Sequence, residues 1–332
     1  MISGVGEVRR QAGINPHTNV SMRRWPSTSR IPAIRVVGAT FQLGRRSTPP
    51  TSASNTVASV DTGVEATNRP HIDTKCKTAH VRIDLLVNQS LAPATEVLDC
   101  AERAEAMGLD SVFLFDHLAT MQPDVSEGEM LDPHVLLGAL ALRTSRMNLG
   151  VLVNNVSLRR PEVIAGATAS LDIVSNGRAV LGLGAGAAPK TYFAAEFDAL
   201  GIPVPTPMER RHELLLESLD KIRAVWRGEH DDGVRLPKPI SNIPTVIGLN
   251  SKILAKNAAA RGCGINVRGN HPDLEAIVGN ADASLGDWAA SVWLHYDPDL
   301  FYPDHPVYRR YADLGVTRIM LMTTKRDDLV TL

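Results

Sequence analysis

The sequence predicts an α/β protein whose globular part is one (β/α)8 barrel, preceded by a disordered extension. Its 332 residues suffice for a barrel of about 250 residues and an additional segment. From Val81 onward, short β-rich apolar runs alternate with longer segments of helical spacing, as in parallel sheets that are buried on both faces. Eight such runs are present, and eight parallel strands are the number that closes a barrel.

The eight predicted strands are short and mostly apolar, which fits strands covered by helices outside and by side chains inside. They are Val81–Val87, Ser111–Phe115, Met147–Val153, Ala179–Gly184, Pro244–Leu249, Cys263–Val267, Ala289–His295 and Thr317–Met322.

The segments between the strands predict helices, several of which carry recognisable start or stop residues. They are Pro93–Gly108, the segments that Pro133 and Pro161 open, Glu209–Trp226, and Lys252–Arg261 with Asn250 or Ser251 as its cap. Residues 271–287 form a poor helical pattern, and only Arg326–Leu332 remains for the eighth helix. We therefore expect the last helix of the barrel to be truncated.

Residues 1–80 differ in composition from the predicted barrel, residues 81–332. Gly, Pro, Ser and Thr make up 24 of residues 1–60, which also carry eight Arg and one acidic residue. No apolar periodicity persists there, so a mostly disordered extension is predicted. Its composition resembles an organellar transit peptide; an upstream extension of the reading frame or a solvated tail is the favoured alternative.

Charge and cysteine usage exclude several classes of function. The net charge is −1, which gives no reason to expect nucleic acid or an anionic membrane as a partner. No apolar run is long enough to cross a bilayer. Cys76, Cys100 and Cys263 are far apart, so neither a disulfide framework nor a metal site is predicted, and a cytoplasmic location is expected.

Candidate functional residues follow the strands, because the active site of a (β/α)8 barrel lies at the carboxyl ends of its strands. Asp116 and His117 come directly after the second strand, and an imidazole that titrates near neutral pH suits proton transfer. The alternative is an Asp that caps the next turn beside an exposed His. His295, at the end of the seventh strand, is a second candidate, or a residue packed beneath Tyr296.

Alternating glycines occupy the fourth strand in the run LGLGAG, which includes Gly182, Gly184 and Gly186. The run lacks the GxGxxG spacing and following helix of a dinucleotide site. Glycines at alternate strand positions allow another group to approach the backbone closely. That group is either a neighbouring layer of the barrel or a flat ligand.

Several motifs together resemble a known family. GLDSVF leads into Asp116-His117-Leu118, the run SxGRxxLGLGAG ends at Gly186, and RxxxLxExLxxIRxxWxG ends at Gly228, with Glu196 between the last two motifs. This combination resembles the bacterial luciferase-like monooxygenase superfamily. More narrowly, it resembles the F420-dependent oxidoreductases related to methylenetetrahydromethanopterin reductase.

The resemblance implies a TIM barrel of the luciferase-like type, with an insertion, that is usually a homodimer and holds its cofactor across the carboxyl-terminal mouth. It implies that Asp116 and His117 lie by the cofactor ring, and that a strand bulge near Leu152 and Val153 backs the ring, often with a non-prolyl cis peptide. Ala187 stands where relatives that oxidise sugar phosphates often carry an acidic proton donor.

The resemblance also implies the cofactor and the rest of its site. Gly184 and Gly186 are assigned to the cofactor, and Asn250, Ser251 and Lys252 follow the fifth strand where relatives bind the cofactor phosphate. The implied activity is hydride transfer between coenzyme F420 and a small organic substrate. The alternatives are an FMN-dependent monooxygenase and a catalytically silent barrel that binds only a cofactor or a partner chain.

Overall fold

Eight parallel strands close into a barrel in chain order, with β1 paired to β8. The computed structural model describes residues 81–120, 128–230, 233–302 and 305–332, so the predicted extension over residues 1–80 lies outside the described residues. The strands are β1 (Arg82–Val87), β2 (Ser111–Leu114), β3 (Asn148–Asn155), β4 (Ala179–Gly184), β5 (Thr245–Gly248), β6 (Gly264–Arg268), β7 (Ala290–His295) and β8 (Arg318–Met322). All eight predicted strands are confirmed, and with them the barrel.

Helices connect the strands. They are α1 (Ala94–Met107), α2 (Pro133–Arg143), α3 (Pro161–Val174), α4 (Ala195–Leu200), α5 (Met208–Arg227), α6 (Lys252–Ala259), α7 (Leu274–Val278), α8 (Pro306–Asp313) and α9 (Arg326–Val330). Short 3₁₀ helices span Tyr192–Ala194, Ala283–Trp288 and Pro298–Phe301. In the described ranges, no helix combines the length and the apolar character that a membrane crossing requires.

The helix boundaries follow local chemistry. Asp132 caps α2, because its side chain accepts hydrogen bonds from the first backbone N–H groups of the helix. Of the two residues predicted to cap α6, Ser251 does so, by accepting from Leu254 N. Gly108 and Gly228 end α1 and α5 with φ of 96° and 80°, a conformation that glycine adopts without steric cost.

The two segments with weak helical patterns form short elements. Residues 271–287 give the single turn of α7 and most of a 3₁₀ helix, and the last helix, α9, has five residues. The structure also extends β3 to Asn155, beyond the predicted end at Val153. The pairing of β3 with β4 shifts register between Val151 and Asn154, so the strand continues past a bulge that sequence alternation does not reveal.

Two apolar layers hold the barrel together. The larger one lies between strands and helices and includes fully buried residues such as Leu85, Leu137 and Ile164. The smaller one, which we call the inner core, fills the barrel interior with Leu86, Phe113, Leu152, Val180, Val246 and Met320. Side chains alternate between the two layers because successive strand residues point to opposite faces.

A buried polar cluster closes the amino-terminal end of the barrel. Arg318 donates two hydrogen bonds to Asp84, at 2.6 and 2.7 Å, and one to Ser111 at 2.8 Å. The guanidinium of Arg318 also lies 4.0 Å from the ring centroid of Trp288. Because a buried charge is tolerated only when it is paired and hydrogen-bonded, this cluster has a structural role and leaves the opposite end for ligands.

Candidate active site

Partly buried apolar and aromatic side chains cluster at the carboxyl ends of the strands. Phe115, Val153, Trp293 and Met322 are partly buried and pack against the inner core, and we call these four residues the barrel mouth. Phe115 and Met322 follow inner-core residues by two positions, so they face the same way and lie nearer the open end. The arrangement suits a flat, largely apolar ligand.

The bulge in β3 forms one wall of the mouth. The peptide bond between Leu152 and Val153 is cis, at the position where the resemblance implied one. The side chain of Val153 lies against Gly184 and Gly248, the last residues of β4 and β5. A Cβ at Gly248 would come within 2.8 Å of Val153 Cγ1, and one at Gly184 would clash with Val153 Cγ2. Both glycines are therefore required by the position of Val153.

The other glycines of LGLGAG also face β3. A Cβ at Gly182 would clash with the carbonyl oxygen of Val151. Gly186 has a φ of 76°, and a Cβ there would lie 2.8 Å from Asn155 Oδ1. Of the two explanations that the sequence left open, a neighbouring strand of the barrel accounts for the contacts of Gly182 and Gly184. A cofactor role for Gly184 and Gly186 stays a prediction.

His117 follows β2 and its ring lies beside that of Phe115, with 6.1 Å between the centroids. Its Nδ1 is 2.8 Å from Oε1 of Glu196. Glu196 lies in α4, and its other oxygen accepts hydrogen bonds from Leu118 N at 2.7 Å and Ala119 N at 3.4 Å. The side chain of Glu196 is fully buried, whereas 21% of the His117 side chain is exposed.

The carboxyl group of Glu196 is held in its charged form. Burial by itself would raise its pKa, but hydrogen bonds from His117 and from two backbone N–H groups lower the pKa below the usual range of a glutamate. A buried carboxylate that accepts several hydrogen bonds fixes the orientation of the groups that donate them. Glu196 therefore fixes the orientation of the His117 ring.

Asp116 has different surroundings from His117. Its carboxylate is buried, pairs with Arg159 at 2.8 Å and accepts a hydrogen bond from Asn155 N at 3.0 Å. Arg159 also bonds to Asp132, the cap of α2, at 2.7 Å. These contacts link β2 to the end of β3 and to α2, and they engage both carboxylate oxygens of Asp116. A catalytic role for Asp116 stays a prediction.

The residues predicted to bind a phosphate lie after β5. Asn250 and Lys252 are exposed, and Ser251 caps α6. Lys252 Nζ lies 3.3 Å from Asp273 Oδ1 in an exposed ion pair. The amino terminus of α6 offers backbone N–H groups to an anion, and the assignment of these three residues to the cofactor stays a prediction.

The opposite wall of the mouth carries a cation and an imidazole. Arg268, the exposed last residue of β6, is in register with Trp293 of β7. The ring of His295 stacks on Trp293, with 6.3 Å between centroids and an interplanar angle of 17°. The ring of Tyr296 contacts Phe301 instead, so His295 is not packed beneath Tyr296.

Sequence reasoning missed Glu196 and His134 as residues near the site. Glu196 was part of a motif, but nothing local relates it to His117, 79 residues away. His134 Nε2 lies 2.9 Å from Asn154 Oδ1, and Asn154 Nδ2 donates to the Gly182 carbonyl. Burial, with Arg159 nearby, lowers the pKa of His134. The available signal for Glu196 was its place in the family motif, and for His134 it was a polar side chain in an otherwise apolar helix.

The described residues contain no cluster of His, Cys, Asp and Glu side chains able to hold a metal ion.

The chain resembles proteins that use F420, both in sequence and in fold. The F420-dependent glucose-6-phosphate dehydrogenase of Microbacterium testaceum is 34% identical over 193 residues, which cover 54% of each chain. The 5,10-methylenetetrahydromethanopterin reductase of Methanolobus tindarius is 28% identical over 196 residues, covering 56% of this chain and 54% of the reductase. This chain thus spans about half the length of the curated relatives it matches.

Solved structures share the fold at low sequence identity. An F420-dependent secondary alcohol dehydrogenase, solved with an F420–acetone adduct, has a TM-score of 0.58 at 17% identity and covers 74% of this chain and 94% of its own. The F420-dependent tetrahydromethanopterin reductase of Methanopyrus kandleri has a TM-score of 0.57 at 16% identity, covering 76% and 96%. These two structures support the barrel itself.

A family model identifies the chain over most of its barrel. The model, described as luciferase-like monooxygenase, matches residues 76–283. That range includes the strands β1 to β6, the bulge at Val153 and the inserted helix that carries Glu196. The match agrees with the resemblance inferred from the sequence motifs, and the chain belongs to the luciferase-like monooxygenase family.

Proposed function

We propose that this protein is an F420-dependent oxidoreductase that transfers a hydride between the deazaflavin and a small organic substrate. The observation that carries the proposal is the packing of Val153 on Gly184 and Gly248, together with His117 beside Phe115 of the barrel mouth. The F420-dependent relatives in sequence support the choice of cofactor.

The residues present fit a planar ring. Val153 supplies an apolar platform, and Phe115 and Trp293 supply aromatic walls. The platform is possible only because Gly184 and Gly248 lack a Cβ. Aromatic and aliphatic walls with few polar groups are the usual lining of a site for a flat ligand.

The residues that would surround the ring serve proton transfer and the exclusion of water. Bound F420 would supply a deazaflavin that accepts or donates a hydride. His117 would accept the proton that leaves an alcohol when it is oxidised, and return a proton when a carbonyl is reduced. Phe115, Trp293 and Met322 would exclude water from the reacting atoms.

Charged groups beyond the ring fit the anionic part of the cofactor. The amino terminus of α6 and the exposed Lys252 follow β5, and Arg268 ends β6. These groups suit a phosphate and a carboxylate-rich tail through charge-assisted hydrogen bonds. Asn250 and Ser251 are proposed contributors to the same phosphate site.

The substrate is proposed to be a small alcohol or carbonyl compound. Ala187 follows Gly186 where relatives that oxidise sugar phosphates often carry a proton donor, and alanine cannot transfer a proton. This difference separates the proposal from the glucose-6-phosphate dehydrogenases to which the chain is similar.

The protein is further proposed to form a homodimer through the outer faces of α2 and α3. These neighbouring helices expose Val135, Leu142, Val163 and Val174 by 73%, 80%, 55% and 51%. We call these four residues the α2–α3 face. An apolar face of this kind marks an interface, and a second copy can cover it symmetrically.

Cofactor titrations test the proposed function. The purified protein is titrated with F420 and with FMN at low and moderate salt, following fluorescence quenching or anisotropy. F420 is expected to bind more tightly than FMN, and less tightly as salt rises, because salt screens the exposed cations. Equal or tighter FMN binding would instead support an FMN-dependent monooxygenase, and binding of neither cofactor would support a silent barrel.

A further inference from the structure

The bond between Glu196 and His117 joins an inserted helix to a strand end. Glu196 belongs to α4, which lies between β4 and β5, whereas His117 follows β2. Oε1 of Glu196 contacts His117 Nδ1 at 2.8 Å, and Oε2 accepts from Leu118 N at 2.7 Å. One carboxylate thus contacts both the imidazole and the backbone that carries it.

The donors and acceptors of this pair fix where the imidazole proton lies. An ionised carboxylate is only an acceptor, so the Nδ1 atom that contacts it must carry a hydrogen. In a neutral imidazole the other nitrogen, Nε2, is then unprotonated. Among the described residues, no donor or acceptor makes a hydrogen bond with Nε2 of His117.

We propose that Glu196 is a positioning residue that holds His117 in the Nδ1–H form, so that Nε2 is the nitrogen available to a substrate. The inference rests on the proposed function, because it identifies the nitrogen that would accept or return the proton. It also makes the geometry of the site depend on α4, which lies outside the regular strand–helix repeat of the barrel.

A purely structural role for Glu196 has a different signature. The hydrogen bonds to Leu118 N and Ala119 N alone would stabilise the loop after β2. Loss of those bonds would lower the melting temperature and leave the His117 tautomer unchanged. The tautomer therefore separates a positioning role from loop stabilisation.

The test is nitrogen-15 NMR of the full chain with labelled histidine, without cofactor and above the pH at which imidazole is protonated. The His117 signals are assigned by their loss in His117→Asn. In the wild type the Nδ1–H form is expected. In Glu196→Gln the single carbonyl oxygen satisfies Leu118 N, the amide group donates to Nδ1, and the Nε2–H form is expected to dominate.

The matched control is Asp172→Asn. Asp172 is also fully buried and accepts hydrogen bonds from Ile240 N and Ser241 N. Asp172→Asn is expected to lower the melting temperature and to leave the His117 tautomer unchanged. With F420 and a small secondary alcohol as the probe, Glu196→Gln is expected to lower kcat by up to about 100-fold, because a misplaced reacting group is that costly, with F420 affinity unchanged.

The two proposals fail in distinguishable ways. An Nε2–H tautomer in the wild type, or a tautomer that Glu196→Gln leaves unchanged, would overturn the role of Glu196. The wild-type measurement decides this even if the variant does not fold. Absence of F420 binding would overturn the proposed function alone, because the tautomer is measured without cofactor.

Discussion

Asp116 and His117 are adjacent in the chain, yet their side chains belong to different networks. Asp116 is buried in an ion pair with Arg159, and His117 contacts Glu196 beside the ring of Phe115. Both residues lie just after β2, which ends at Leu114, and their side chains make different contacts there. The two residues are therefore expected to respond differently to substitution.

Replacing Asp116 with Asn should mainly reduce stability. The change leaves Arg159 without one of its two carboxylate partners, and a loss of about 1–3 kcal/mol in unfolding free energy is expected for a partly buried charged hydrogen bond. Urea denaturation measures this loss. A variant of unchanged stability with abolished F420 binding would contradict the contacts described for Asp116.

Replacing His117 with Ala should reduce F420-dependent turnover or binding. The change removes the proposed proton carrier and leaves buried Glu196 without its imidazole partner. We expect the free energy of F420 binding, or the activation free energy of turnover, to become less favourable by about 1–3 kcal/mol. Steady-state kinetics and cofactor titration measure the effect. The control is Asp110→Ala, because Asp110 precedes β2 and pairs with Arg82, away from the mouth. A stronger effect of Asp110→Ala would place the functional site at the amino-terminal end of the barrel.

Replacing Gly184 with Ala should weaken F420 binding through the β3 bulge. The new methyl group occupies the space of Val153 Cγ2, so Val153 must move toward the region assigned to the cofactor. Titration with F420 should show weaker binding than for the wild type and for Asp110→Ala. Unchanged affinity would show that the Val153 platform does not support the cofactor.

Stability should fall with acid in a way that depends on His134. Burial lowers the pKa of this side chain in the folded state, so the unfolded chain takes up a proton first as pH falls below the ordinary value of about 6.5. The free energy of unfolding therefore decreases as the pH falls from about 6.5 toward the lower pKa that His134 has in the folded state. Melting temperatures should decline less steeply over this range in His134→Gln, and an identical slope would contradict the inferred neutral state.

Placing a charge on the α2–α3 face should separate the proposed dimer. Leu142→Glu puts a carboxylate on a side chain that is 80% exposed, which costs little in a monomer but much in an apolar interface. Light scattering should show a dimer for the wild type and a monomer for the variant. Val330→Glu, at a similarly exposed position of α9, should leave the assembly unchanged. A monomeric wild type would contradict the proposal.

The sequence predicted the strands better than the contacts at their ends. Short apolar runs separated by segments of helical spacing suffice to locate eight strands, because burial on both faces is a local property of each run. The contact between His117 and Glu196 depends on how α4 packs over the strand ends, and no periodicity relates residues so far apart in sequence. The family resemblance implied the bulge near Leu152 and Val153, but the continuation of β3 to Asn155 depends on pairing with β4, which the sequence of β3 alone does not reveal.

The polar cluster of Arg318, Asp84 and Ser111 has a consequence for kinetics. With that cluster at one end and the inner core above it, the barrel interior is filled by side chains, so a ligand can reach the barrel mouth only from the carboxyl-terminal side. Two ligands that stack at a mouth with one entrance cannot pass one another. We therefore expect compulsory-order kinetics, in which the molecule that lies deeper enters first and leaves last.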